Sequence, residues 1–168
     1  MLEKTDQLII RDAFTGAMRN VANSVTVVTT DGSGGRHGAT VSSFCSVSAD
    51  PPTILVCLNK TGQTAKAVIE NKNFCVNVLP ENAVETARSF AGIPLTASQE
   101  DPFDTINWHS SENAQPVFND VTAFVCSKMQ IVSATSHYII IGKVEFVQSG
   151  LRRPLIYLNQ EFCGVSTD

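Results

Sequence analysis

Two stretches of this 168-residue chain carry groups suited to holding a ligand. In Gly38-Ala39-Thr40-Val41-Ser42-Ser43-Phe44, hydroxyls and small side chains interrupt what should be an apolar strand, an arrangement that lets a ligand lie close against the backbone. A half-buried strand with its polar face wet would read the same way. In Asn59-Lys60-Thr61-Gly62-Gln63-Thr64, the end of an apolar run meets a helix start, so free backbone N–H groups, a cation and two hydroxyls come together. That is the chemistry of a phosphate site, although a capped turn has the same composition.

Other chemistries find no support. His37, His109 and His137 are far apart, with no HxH, HExxH or Cys/His cluster, so no metal site is expected. No GxSxG or reactive-cysteine signature surrounds any serine or cysteine. The paired carboxylates Glu100-Asp101 sit in a loop and read as solvated surface. Gly32 and Gly34 are followed by His37 where a third glycine would complete GxGxxG, and GxxxxGK is absent, which disfavours a Rossmann domain or a P-loop.

The elements that must position these groups are mostly strands. Ile10, Phe14, Ala17, Met18 and Val21 recur at helical spacing and predict an amphipathic helix from Asp6 to Ala22, capped by Thr5 or Asp6. Val25–Thr30 and His37–Ser48, separated by Asp31-Gly32-Ser33-Gly34-Gly35, read as a hairpin that Pro51-Pro52 stops. Thr53–Leu58 reads as a strand buried on both faces, followed by a short helix capped by Thr64. A strand over Phe74–Leu79 leads to a helix over Asn82–Ala91 that Gly92 ends. From Ile93 to Asp120 no period survives the prolines, and this length of loop points to function or subunit contact. Val121–Ala134, His137–Gln148 and Pro154–Phe162 complete about seven strands. With no repeat or linker, the pattern predicts one mainly β domain over residues 1–168, an antiparallel barrel with peripheral helices.

Composition bounds the partners. Charged residues are only 17% of the chain against roughly 25% in a typical soluble protein, which suggests surface hidden by a partner subunit or uncharged polar loops lining a cleft. A net charge of −4 with no basic run argues against nucleic acid. The acidic start Met1–Asp6 lacks the features of a signal peptide, and no apolar stretch approaches the ~18 residues of a membrane span, so a cytoplasmic protein off the membrane is expected. Five widely spaced cysteines without a CxxC pair read as reduced, buried thiols.

A set of short strings adds a resemblance. Phe14-Thr15-Gly16-Ala17-Met18-Arg19, Val25–Thr30, Gly38–Ser48 and Asp50-Pro51-Pro52 are followed by Val56–Lys60, Phe74–Leu79, Arg88-Ser89-Phe90-Ala91-Gly92, Ile141–Val144 and Pro154–Tyr157. Each is weak alone; in this order, over nearly the whole chain, they resemble the short-chain flavin reductases that serve two-component flavin-dependent monooxygenases. The resemblance implies an antiparallel split β-barrel homodimer that binds FMN or FAD, oxidises NADH or NADPH, and releases reduced flavin to a partner monooxygenase. It places the isoalloxazine ring along Thr40, Val41, Ser42 and Ser43. The flavin's polar edge and ribityl chain would lie near Leu58, Asn59 and Lys60, and the phosphate on Thr61, Gln63 and Thr64. Phe90, Ala91 and Gly92 would close over the flavin, although a plain helix stop explains Gly92 as well. His137 matches the histidine associated with nicotinamide placement, but relatives read Gly-Asp-His or Gly-Thr-His where this chain has Thr135-Ser136-His137, so an acidic partner is absent. A module of the same fold that keeps its flavin and serves another acceptor is the alternative.

Overall fold

The computed structural model describes residues 2–93 and 101–166. Helix α1 (Leu2–Met18) precedes β1 (Asn23–Ser24), β2 (Thr26–Thr30), β3 (His37–Val41), β4 (Phe44–Ala49) and β5 (Pro52–Asn59). Helix α2 (Gln63–Asn71), β6 (Asn73–Val78) and α3 (Val84–Phe90) follow, then a 3-10 turn at Pro102–Thr105 and the strands β7 (Trp108–Ser110) and β8 (Pro116–Phe118). The long strands β9 (Thr122–Ala134) and β10 (His137–Gln148) lead to the small hairpin β11 (Ile156–Leu158) and β12 (Glu161–Cys163).

Seven strands form one antiparallel sheet in the order β3-β2-β6-β9-β10-β5-β4. Its two edge strands, β3 and β4, are consecutive in the chain and separated only by Ser42 and Ser43. The step from Val41 to Phe44 is three residue rises and reaches no more than about 11 Å, so the sheet must curl until these edge strands approach at that corner. The Ser43 carbonyl accepts from the Cys57 N–H at 3.2 Å, and the Ser43 hydroxyl donates to the Cys57 carbonyl at 3.1 Å. The expected continuous strand His37–Ser48 is therefore two strands on opposite edges, because Ser43 turns its polar groups to β5 instead of continuing a ladder with β2.

Each face of the curled sheet has its own core. Inside the curl, Val28, Val56, Leu58, Phe74, Val76, Cys126 and Ile140 pack with Ala65 and Val68 of α2. On the outer face, Val27, Cys75, Ala123 and Val125 are covered by Ala87 and Phe90 of α3, by Phe103, and by Val117 and Phe118 of β8. The alternation of Val27 with Val28 and of Cys75 with Val76 is the period-two pattern of strands buried on both faces. Buried Asn77 ties the second layer to the sheet: its Oδ1 accepts from Phe118 N at 2.8 Å and its Nδ2 donates to the Thr29 hydroxyl at 3.0 Å.

Several boundaries move. The first helix ends at Met18, and its apolar residues Ile10 and Phe14 are 68% and 63% exposed, uncovered by their own chain. The aperiodic segment contains the β7–β8 hairpin, whose three-residue strands are too short to show a period; residues 94–100, including Glu100, lie outside the described residues. Asp101 is more than solvated surface, since its carboxylate pairs with Arg36 at 2.6 Å and accepts from Phe103 N at 2.9 Å. Pro154–Phe162 is a hairpin broken by Asn159 and Gln160, both in the left-handed region with φ of 50° and 65°. Cys75 and Cys126 are buried, but Cys45 and Cys163 are exposed, because β4 is an edge strand and β12 lies in the small outer sheet.

Candidate functional site

The β3–β4 corner, the end of β5 and the start of α2 converge on a groove of about 600 Å³. Thr40, Val41, Ser42 and Ser43 line it from the corner, and Leu58, Asn59, Gly62, Thr64 and Ala65 from the β5–α2 connection. His137, which pairs in register with Asn59, lines it from the start of β10. The two polar stretches that stand 15 or more residues apart in the sequence thus form one cleft, because the curl of the sheet brings β3 beside β5.

The connection is shaped by Asn59. Its Oδ1 accepts from the Thr61 N–H at 3.0 Å and from the Thr61 hydroxyl at 2.9 Å, an Asx turn that swings the chain from β5 into α2. Helix α2 starts after Gly62, not at Thr64, and Gly62 carries no capping side chain. The N–H groups of Gln63, Thr64 and Ala65 accordingly have no acceptor within the helix. Thr64 is 5% exposed, and its hydroxyl has no hydrogen-bond partner among the described residues. The other end of α2 is served by Lys128, whose ammonium donates to the Ile69 carbonyl at 2.5 Å; burial, then the nearby Lys72 charge, pushes the Lys128 pKa down. One helix end is therefore satisfied by a cation and the other presents donors to the groove, where the helix dipole favours an anion.

The remaining residues divide by what their polar atoms already do. The Thr40 hydroxyl donates to the Ala87 carbonyl at 2.7 Å and anchors β3 to α3. Ser43 is held by Cys57, whereas Ser42 is exposed with its hydroxyl unpartnered among the described residues. Lys60 and Gln63 do not line the groove. The Lys60 ammonium donates to Ser133 Oγ at 2.8 Å and to the Thr135 carbonyl at 2.7 Å, so it clamps the end of β5 to the turn that carries His137. His137 is exposed, with Nδ1 2.9 Å from Ser136 Oγ. Ser136 thus occupies the place where an acidic neighbour was lacking. Thr61 is outside the lining, its hydroxyl taken by Asn59.

Phe90, Ala91 and Gly92 separate. The Phe90 ring is buried against Phe103 and Phe118, and a Cβ on Gly38 would come within 2.5 Å of it. Gly92, at φ +80°, ends α3 as expected: its N–H donates to the Ser89 carbonyl and the next N–H, of Ile93, to that of Arg88. Ala91 lines a second groove of about 770 Å³, which shares Thr40, Val41 and Ser42 with the first and includes Arg88, Tyr157, Glu161 and Phe162. Sequence reasoning missed this groove, since its walls come from α3 and a hairpin nearly 70 residues away, and only the strings around Arg88 and Tyr157 hinted at it.

Known proteins resemble this chain in sequence and fold. The family model described as "Flavin reductase like domain" matches residues 18–166. The chain is 36% identical to the FMN reductase (NADH) RutF of Ancylobacter novellus over 94% of this chain and 87% of that one. Among solved structures, BorF, the flavin reductase component of a bacterial two-component tryptophan halogenase, superposes with a TM-score of 0.81 at 29% identity, covering 94% of this chain and 99% of that one. The NADH:FAD oxidoreductase SgcE6 of Streptomyces globisporus, solved with NAD and FAD fragments, gives a TM-score of 0.82 at 27% identity over 98% and 95% of the two chains.

Proposed function

The chain belongs to the flavin reductase like domain family, and from that premise we propose that it is an NAD(P)H-dependent flavin reductase, acting as one domain over residues 1–168. It reduces FMN or FAD and supplies the reduced flavin to a partner oxygenase. The observation that carries this reading is the open N-terminus of α2 beside Thr64, a residue 5% exposed whose unpartnered hydroxyl opens to a groove lined by the β3–β4 corner. These groups fit a flavin phosphate, because backbone N–H donors, a hydroxyl donor and a helix dipole all favour an anion there.

Bound flavin would supply the two-electron chemistry, taking reducing equivalents from the nicotinamide and handing them on. The chain's own residues bind and orient. Thr64 and Ala65 offer N–H groups, and Thr64 its hydroxyl, to the phosphate. Thr40, Val41, Ser42 and Ser43 border one side of the ring, held in place by the Thr40–Ala87 and Ser43–Cys57 bonds. Leu58 and Asn59 form the passage between ring and phosphate. His137 positions the nicotinamide, with Ser136 fixing its ring and Lys60 fixing its turn. The arrangement requires no protein acid or base, because its work is to hold two rings face to face within reach of each other.

We further read the protein as a homodimer. Its surface of 10085 Å² exceeds the roughly 8,100 Å² of a folded monomer of 18.1 kDa by about 2,000 Å². The exposed Ile10, Phe14 and Met18 of α1, four residues apart, form an apolar stripe of the kind a partner covers. A cytoplasmic location is supported by the five unpaired cysteines, two of them exposed; among the described residues no helix is long and apolar enough to cross a membrane. The test is NADH and NADPH oxidation by purified protein with FMN, FAD or riboflavin added. Consumption that requires added flavin supports the reading, and a yellow protein inert toward both nucleotides supports the tightly bound module instead.

A further inference from the structure

The turn Asp31-Gly32-Ser33-Gly34-Gly35 between β2 and β3 lines neither the candidate flavin groove nor its larger neighbour, yet it is gripped from two sides. Gln115, 1% exposed, holds one side: its Oε1 accepts from Asp31 N at 3.1 Å and its Nε2 donates to the Asp31 carbonyl at 3.0 Å. Asn71, the last residue of α2, holds the other. Its Oδ1 accepts from Gly34 N at 2.5 Å, and its Nδ2 donates to the Gly35 carbonyl at 2.9 Å and to Thr30 Oγ1 at 3.1 Å. The turn also presses on the helix itself, since a Cβ on Gly34 would stand 3.0 Å from both Ala67 Cα and Glu70 Cβ. Glycine is needed there for close approach, not for a left-handed backbone.

This contact lies at the far end of the two elements that wall the flavin groove. Strand β3 leaves the turn and delivers Thr40 and Val41 to the groove, while α2 runs the other way, from Thr64 and Ala65 at the groove to Asn71 at the turn. The four steps of strand from His37 to Val41 and the eight steps of helix from Gln63 to Asn71 each cover about 12 to 13 Å, so the elements match in length. Ala65 and Val68 bury α2 against the inner core. Such apolar contacts set the depth of the helix but are non-directional, and small side chains hold its position along its own axis weakly. Hydrogen bonds are directional, and Asn71 makes three to the turn. Lys128 adds a bond from β9 to the Ile69 carbonyl, but its flexible four-carbon stem can follow a moving helix.

We propose that Asn71 is a positioning residue of the flavin site: by tying the end of α2 to the β2–β3 turn, it sets the separation between the phosphate donors at the start of α2 and the β3–β4 corner that borders the ring. The proposal rests on the flavin reductase reading. Asn71 does not line the groove, so it acts through the helix. A ligand that spans both elements, as FMN does with its ring at the corner and its phosphate on α2, depends on that separation. Riboflavin has no phosphate to place on α2 and does not.

Fluorescence titration of the whole protein with FMN and with riboflavin, well below the melting temperature, tests this in Asn71→Ala. The Kd for FMN should rise about 10-fold, the lower end of what one hydrogen bond to a charged group contributes, and that for riboflavin less than about twofold. A merely structural role would lower the melting temperature and weaken both ligands in the same proportion, so the ratio of the two Kd values is the readout. Should Asn71→Ala fail to fold, Gly34→Ala takes its place. That substitution keeps the Asn71 side chain and instead forces Ala67 and Glu70 of α2 to give by a few tenths of an ångström, with the same change in ratio expected. The proposal alone is overturned if wild type binds FMN and the variant keeps the wild-type ratio. If wild type binds neither FMN nor riboflavin, the flavin reductase reading falls and the proposal falls with it.

Discussion

Replacing Thr64 with valine isolates the phosphate contact from everything else the residue does. Valine keeps the branched shape that packs at the start of α2 and deletes only the hydroxyl. Because that hydroxyl bonds nothing among the described residues, the substitution breaks no internal hydrogen bond. The melting temperature should stay within about 2 °C of wild type, which for a chain of this size corresponds to less than about 1 kcal/mol. Binding is another matter. A hydrogen bond to a charged group contributes about 1.5 to 3 kcal/mol, so the Kd for FMN should rise about 10- to 150-fold. Riboflavin has the same ring and ribityl chain without the phosphate, and its Kd should move less than about twofold. Quenching of flavin fluorescence on titration with protein measures both. An equal loss for FMN and riboflavin would place the hydroxyl elsewhere on the flavin, and an unchanged FMN affinity would remove the start of α2 from the site.

Other consequences can be measured on the same preparations. His137→Ala, at an exposed position, should raise the KM for NADH by about 2- to 10-fold while leaving the FMN Kd and the melting temperature in place; weaker FMN binding with normal NADH use would contradict its assignment. Gly38→Ala forces a Cβ to within 2.5 Å of the buried Phe90 ring, an overpacking cost of about 1 to 3 kcal/mol that should lower the melting temperature by about 3 to 10 °C and weaken flavin binding by moving β3. Burial, and next the Glu145 charge, pushes the Cys126 thiol up to about 12, and burial also raises Cys75. The folded chain therefore keeps protons that the unfolded chain loses, so stability is full below the ordinary thiol pKa of 9.0 and falls above it by up to ~1.4 kcal/mol per pH unit per thiol; unfolding curves between pH 8 and 11 should show a shallower alkaline loss in Cys126→Ala. Phe14→Asp, at a side chain 63% exposed in the single chain, should leave the fold intact and halve the mass measured by light scattering, whereas an unchanged dimer would exclude α1 from the interface.

How far the sequence could be read depended on whether a residue's partner lies nearby in the chain. The apolar runs of β5 and β6, the hairpin turn at Asp31–Gly35 and the stop at Gly92 are local events, and each stands within a residue or two of its expected place. The break at Ser42-Ser43 was not legible, because it depends on Cys57, 14 residues away, accepting and donating where β2 would otherwise have done so. The same holds for the polar side chains of the site. Thr40, Thr61, Thr64 and Lys60 are equivalent as donors in a string of letters. In the fold, Ala87 takes Thr40, Asn59 takes Thr61, and the β9–β10 turn takes Lys60, while Thr64 is left open to the groove. Composition suggested hidden surface without locating a candidate for it, since the stripe on α1 reads like any amphipathic helix until its exposure is known.

The central claim is that this chain passes electrons from a nicotinamide to a flavin that then leaves. Placing the protein and NADH on one side of a membrane permeable only to small molecules, with cytochrome c on the other under anaerobic conditions, tests it directly. Cytochrome c should be reduced only when free flavin is added, at a rate that saturates with flavin. Reduction without added flavin, or none across the membrane while NADH is consumed with cytochrome c on the protein's side, would contradict it.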